Sequence, residues 1–184
     1  EERMAAYRDP NTHMVVTTHQ SLRDDVTHML AQHLDTPEAD VTAKMTGYNA
    51  DGEKHAGAWD EAQTDANVKA ALQAHGADGL LDFLAIDEGH TALNRAGKQD
   101  SHLARVIDSL GRISKHVGYM TGSPVKNDAS EIHDQLVKIA PDKYGPGADK
   151  IGRAEFMRRY GGDTTASAAA LRRELAKHTY LGRI

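Results

Sequence analysis

DFLAIDEGH, residues 82–90, runs a short apolar stretch into two adjacent carboxylates and a histidine. The run from Leu80 to Ile86 is almost continuously apolar, which suits a parallel strand covered on both faces. It would deliver Asp87 and Glu88 at the strand's carboxyl end. In an open parallel sheet that is where ligands sit. One carboxylate there is enough to cap a helix. Two, followed by His90, suit a metal ion, a phosphate or a water molecule that has to be activated.

Reading outward, His13 to Thr18 (HMVVTT) is β-branched and follows Asp9-Pro10-Asn11, so it predicts a second buried strand. Ser21 is placed to cap a helix to about His33, with Leu22, Val26, Met29, Leu30 and His33 on one face. Downstream, Ser101 precedes Leu103, Val106, Ile107, Leu110 and Ile113 at helical spacing. Val117 to Met120 predicts a third strand, ending in Thr121-Gly122-Ser123-Pro124. Asp128 and Glu131 have capping-box spacing ahead of Ile132, Leu136 and Ile139, and Tyr144 to Gly147 ends that helix. The tail predicts helices over about 154–160 and 165–178, with Gly161-Gly162 as a hinge. Strand followed by helix is the α/β rhythm.

Residues 35–79 break that rhythm. They are acidic and Ala-rich, with nine Asp/Glu against three Lys, a local net of −6. A helix over about 58–75 is expected, with Trp59 as its large anchor, in a helical insertion or loose excursion. Residues 150–184 carry eight Lys/Arg against three Asp/Glu, a local net of +5. Such a tail meets phosphate or an acidic neighbour, or is simply a solvated helix. The overall net charge is −5. With no cysteine, disulfides and thiolate metal sites are excluded. No apolar stretch approaches the ~18 residues of a membrane span. The opening Glu1-Glu2-Arg3-Met4 reads as a cut inside a longer protein.

A carboxylate after a buried hydrophobic strand is how nucleotide hydrolases hold Mg²⁺ beside phosphates, because Mg²⁺ takes oxygen ligands and keeps several waters. The next carboxylate can orient or deprotonate the attacking water. Taken singly, each signal has a plainer explanation: acidic residues end many strands, His90 suits a loop, and Thr-Gly-Ser-Pro suits a turn. The other ten histidines lack metal-ligand spacing.

Together the pieces resemble one family. Asp87-Glu88-Gly89-His90 resembles the Asp-Glu-Ala-His box of superfamily 2 helicases. MTGSPVKND (residues 120–128) resembles motif III of the Swi/Snf-type DNA translocases. The segment between, HTALNRAGKQDSHLARVIDSL, resembles that family's linking segment, with Asn94 in the place of its usual asparagine. SEIHDQLVKIAPDKYG (130–145), FMRRYGG (156–162) and LRRELAKHTYLGRI (171–184) resemble the family's segments after motif III. VVTTHQSLRDD (15–25) resembles motif Ib.

The resemblance spans residues 5–34 and 80–184. It implies an α/β fold, the second half of a RecA-like first motor lobe. That is a three-layer partial parallel sheet with helices on both faces, formed by 1–34 and 80–147. A helical insertion (35–79) and a helical basic tail (148–184), leading toward a second lobe, are added to it. It also implies an ATP-dependent motor on double-stranded DNA, with ATP and Mg²⁺ as cofactors. Asp87 would hold Mg²⁺ through water and Glu88 would position the attacking water. His90, Thr121, Gly122 and Ser123 would couple the nucleotide to DNA. Thr17, Thr18 and Ser21 would lie near the DNA backbone, and Arg172 and Arg173 are the tail's candidates for phosphate.

A cytoplasmic protein encoded by a bacterium, phage or plasmid is expected. The chain has no G-x-x-x-x-G-K-[ST] phosphate loop. The missing phosphate-loop half and second lobe are therefore expected partners, and these residues are not expected to hydrolyse ATP alone. The alternatives are a degenerate lobe serving as a non-catalytic DNA-binding or scaffold module and, more remotely, a stand-alone metal-dependent hydrolase.

Overall fold

A computed structural model describes residues 2–9, 11–88, 102–120, 129–145 and 147–178. The chain divides into two compact units, one drawn from Glu1–Ile86 and Thr91–Gly118, the other from Asp87–His90 and Tyr119–Ile184.

The first unit is built on helices. In chain order they are α1 (Glu2–Arg8), α2 (His19–Leu34), α3 (Glu38–Thr46), α4 (Glu61–Ala74) and α5 (His102–Ile113). Between α4 and α5 come a 3₁₀ turn, Asp78–Leu81, and the strand β1, Phe83–Ile86. β2 (His116–Tyr119) follows α5 and pairs with β1 in a two-stranded parallel sheet. Helix α2 packs on α3, α4 and α5. It does so because Leu22, Val26, Met29 and Leu30, at i, i+4, i+7 and i+8, form one buried stripe. Val41 and Met45 of α3, Val68 and Leu72 of α4, and Val106 and Ile107 of α5 close on it, all fully buried. Each such side chain contributes about 1.5–3 kcal/mol on leaving water.

Local chemistry sets the helix ends. Thr18 caps α2, its Oγ1 accepting from the Ser21 amide at 3.1 Å. Asp60 and Gln63 form a reciprocal capping box at the start of α4. Gly47 ends α3 in the left-handed conformation, at φ 79°.

The second unit holds α6 (Ser130–Ile139), α7 (Arg153–Tyr160) and α8 (Thr165–Leu175). Helix α7 packs against both α6 and α8. Its core is Ile132, Leu136, Tyr144 and Phe156, joined by Ile151, Tyr160, Leu171 and Leu175. The rings of Tyr144 and Phe156 meet edge to face at 6.1 Å. Gly145, at φ 117°, makes the bend by which the 140s return toward Ile151.

The expected RecA-like three-layer sheet does not form. Among the described residues the structure is mostly helical, and its one sheet has two strands. The reason can be read in two places. Residues 13–18 form no strand, with Met14 and Val16 78% and 82% exposed. β1 begins three residues later than expected, and Phe83 is 63% exposed while Ile86 is buried. A strand with one open face is not covered by helices on both sides. Helices α3 and α4, from the acidic stretch 35–79, contribute core to the first unit. No helix among the described residues is long and apolar enough to cross a membrane.

Candidate functional site

Asp87 and Glu88 occupy the turn that directly follows β1, and both are exposed. Asp87 Oδ1 accepts from the Glu88 amide at 2.9 Å, which fixes one carboxylate oxygen and leaves Oδ2 to solvent. Glu88 lies at φ 47°, in the left-handed region. A side chain larger than asparagine or aspartate is uncommon there and costs on the order of 1 kcal/mol or more. Adjacent residues of one turn thus present two carboxylates, and the second is held in a strained backbone.

The remaining residues expected beside this pair, His90, Thr121, Gly122 and Ser123, lie outside the described residues, as do Asn94, Ser101 and Asp128. Because β1 and β2 run parallel, the chain leaves both at the same edge of their sheet. A single Asp oxygen suits a Mg²⁺ ion that keeps most of its waters and takes further oxygens from phosphate. It does not suit tight binding by protein alone. Among the described residues no group of three or more His, Asp or Glu is placed to hold a metal.

The three hydroxyl residues expected near DNA sit at the N-terminus of α2. Thr18 is the cap itself, and its hydroxyl also donates to Ser21 Oγ at 3.1 Å. Ser21, expected as the cap, is the third residue of the helix. Thr17 Oγ1 is buried with no hydrogen-bond partner among the described residues. Two of the three are therefore engaged with one another in starting the helix.

Arg172 and Arg173 are exposed in the last turns of α8. They line an open groove of about 610 Å³ together with Gly162, Asp163, Thr164, Thr165, Ala168 and Ala169. Neither arginine forms an ion pair among the described residues.

One polar centre has little signature in the sequence. Glu174 is 5% exposed. Its carboxylate accepts from Lys143, from the Tyr144 hydroxyl at 2.6 Å and from Lys177 at 2.9 Å. Burial opposes its ionisation, but these three donors hold the carboxyl well below its usual range. Burial first, and then the Glu174 carboxylate, push the Tyr144 hydroxyl far up. His178 completes the cluster, with Nε2 3.4 Å from that hydroxyl. The spacing Glu174-x-x-Lys177-His178 places three members on adjacent turns of one helical path. The Lys143-Tyr144 contribution, about thirty residues away, has no local signal. The cluster pins the end of α8 to the loop after α6.

Searches of protein families, of curated proteins and of solved structures find no match to this chain.

Proposed function

We propose that these residues are a segment of an ATP-dependent DNA translocase of the Swi/Snf type, the segment carrying the acidic pair of its hydrolysis site. The observation behind this reading is the placement of Asp87 and Glu88 immediately after β1, at the carboxyl edge of a parallel strand pair. The order of the sequence motifs supports it. The resemblance implies a RecA-like sheet, which does not form among the described residues, so the reading rests on the motifs and on this placement.

In it, Asp87 Oδ2 would hold Mg²⁺ through water, and the ion would screen the phosphate charge. Glu88 orients the attacking water and receives its proton. The Glu88 amide holds the Asp87 carboxylate against the backbone from which Glu88 extends. Phosphoryl transfer depends on positioning by many groups at once. The 184 residues lack a phosphate loop, so they bind Mg-nucleotide weakly by themselves. Isothermal titration giving micromolar ATP affinity for this chain would contradict that.

The deciding experiment is ATP hydrolysis by the full-length protein, with and without double-stranded DNA, beside Glu88→Gln. The expected result is DNA-stimulated turnover that the variant loses while it still binds ATP, since the metal carboxylate is untouched. Loss of ATP binding in equal measure would remove Glu88 from the water-activating role.

The helical architecture favours a second reading, a non-catalytic DNA-binding or scaffold module. Two strands offer little edge on which to build a nucleotide site. Absence of hydrolysis by the full-length protein, with DNA binding retained, would select it.

A further inference from the structure

We propose that the groove between Gly162–Thr165 and one face of α8 seats a phosphodiester of duplex DNA, gripped by Arg172 and Arg173. This deepens the DNA-motor reading and rests on it for the identity of the polyanion.

The first argument is how the cations of this unit are disposed. Lys143 and Lys177 bind Glu174, Arg158 and Arg159 bind Glu155, and Arg153 reaches Ser130 and Asp134. Lys150 donates to the Pro141 carbonyl. Among the described residues of this unit, the two arginines left without a carboxylate are the two that line the groove. A solvated surface would scatter its unpaired charges. Here they converge on one concavity.

The second argument is shape. Thr165, Ala168, Ala169 and Arg172 recur at i, i+3, i+4 and i+7, so they share one face of α8. Two alanines ahead of the guanidinium leave a smooth wall that a backbone oxygen can approach closely. At the groove's start Gly162 packs closely on Ser167, where a Cβ would come within 2.7 Å of Ser167 Oγ.

The third is charge matching. Asp163 lines the same groove. One carboxylate against two guanidiniums leaves a net charge of +1, which matches the single negative charge of a phosphodiester better than a free phosphate dianion. Such a seat reads backbone and not bases, so it is indifferent to sequence. Finally, the guanidiniums extend from a helical turn that buried Glu174 anchors, which lowers the entropy cost of presenting them.

The test is fluorescence anisotropy of a short labelled duplex with this chain, over about 50 to 200 mM salt. Arg172→Ala/Arg173→Ala should weaken binding roughly tenfold at the low end and make the log Kd–log salt slope shallower by about 2, near 0.9 per lost contact. Ala168→Glu, an exposed position, should weaken binding in the same direction while both arginines remain. Arg158→Ala/Arg159→Ala should leave the slope unchanged, and circular dichroism shows whether each variant is folded. Inorganic phosphate and polyglutamate serve as competitors. Neither should displace the duplex at equal charge concentration. An unchanged slope in the double variant, no binding of duplex by the wild type, or displacement by either competitor would overturn the proposal. Displacement by polyglutamate would indicate an acidic protein partner instead. If the arginine variants bind DNA normally while the full-length protein keeps its DNA-stimulated ATPase, the seat fails and the motor stands. If DNA binding is arginine-dependent but hydrolysis is absent, the reverse holds.

Discussion

At the scale of single residues, His102 shows how burial becomes pH dependence. Its Nε2 lies 3.1 Å from Thr27 Oγ1. The Thr27 hydroxyl has one hydrogen, which it gives to the Arg23 carbonyl at 2.7 Å. Thr27 must therefore accept, and His102 is neutral with its proton on Nε2. Burial, reinforced by the charge on Arg23, pulls the ring down to about 4. An unfolded histidine titrates near 6.5, so between these values the unfolded chain binds the extra proton. Stability contributed by the neutral ring is whole above about pH 6.5 and is lost progressively down to about pH 4. With the ring partly solvated, the loss is about 1–3 kcal/mol. Urea titrations across that window should show it, and His102→Gln, which retains an N–H for Thr27, should flatten it. An equally steep pH dependence in the variant would assign the acid sensitivity to another group. Glu174 acts in a different window. Its carboxyl is held low, so its contribution is whole above the usual carboxylate range and lost only below it.

At the scale of elements, helix α4 illustrates what sequence can and cannot disclose. Its start is written locally: Asp60 and Gln63, three apart, satisfy each other's amides at 2.7 and 3.1 Å. Asp60→Ala should cost about 1 kcal/mol, seen as a lower urea midpoint at constant m-value. A changed m-value would mean that the helix does more than lose its cap. The helices expected near 21–33 and 101–113 form at 19–34 and 102–113 because each carries a buried apolar stripe, and those expected near 154–160 and 165–178 form at 153–160 and 165–175. Strands lack that autonomy. HMVVTT has the composition of a buried strand, but a strand needs a neighbour to receive its amides, and composition cannot supply one. In the fold its last residue caps α2, and its apolar side chains at 14 and 16 face water. The acidic pair was legible as a strand end because it depends only on the apolar run before it. The Glu174 cluster was not, because its partners meet only after α6, α7 and α8 have packed.

At the scale of the molecule, charge and core tell different stories about the same segments. The acidic stretch 35–79 looks dispensable by composition, since its charge invites solvent. Yet Val41, Met45, Val68 and Leu72 are buried to 1% or less, with most of the carboxylates exposed. The four apolar residues outweigh the nine acids because seven of the acids are exposed and have no desolvation to overcome, while half-buried Asp40 and Asp65 pair with Lys44 and Arg112. The basic segment obeys the same logic with fewer anchors. Phe156 is the one fully buried residue of α7, and it touches Tyr144, Tyr160 and His133. Replacing it leaves a cavity among rings that have nowhere to collapse. Phe156→Ala should therefore cost the second unit about 3–5 kcal/mol. Hydrogen exchange locates the loss: the amides of α6, α7 and α8 should exchange faster by two to three orders of magnitude, at about 1.4 kcal/mol per tenfold. Protection retained in α8 would show that the Glu174 cluster, and not the aromatic core, holds that helix and the arginines it carries.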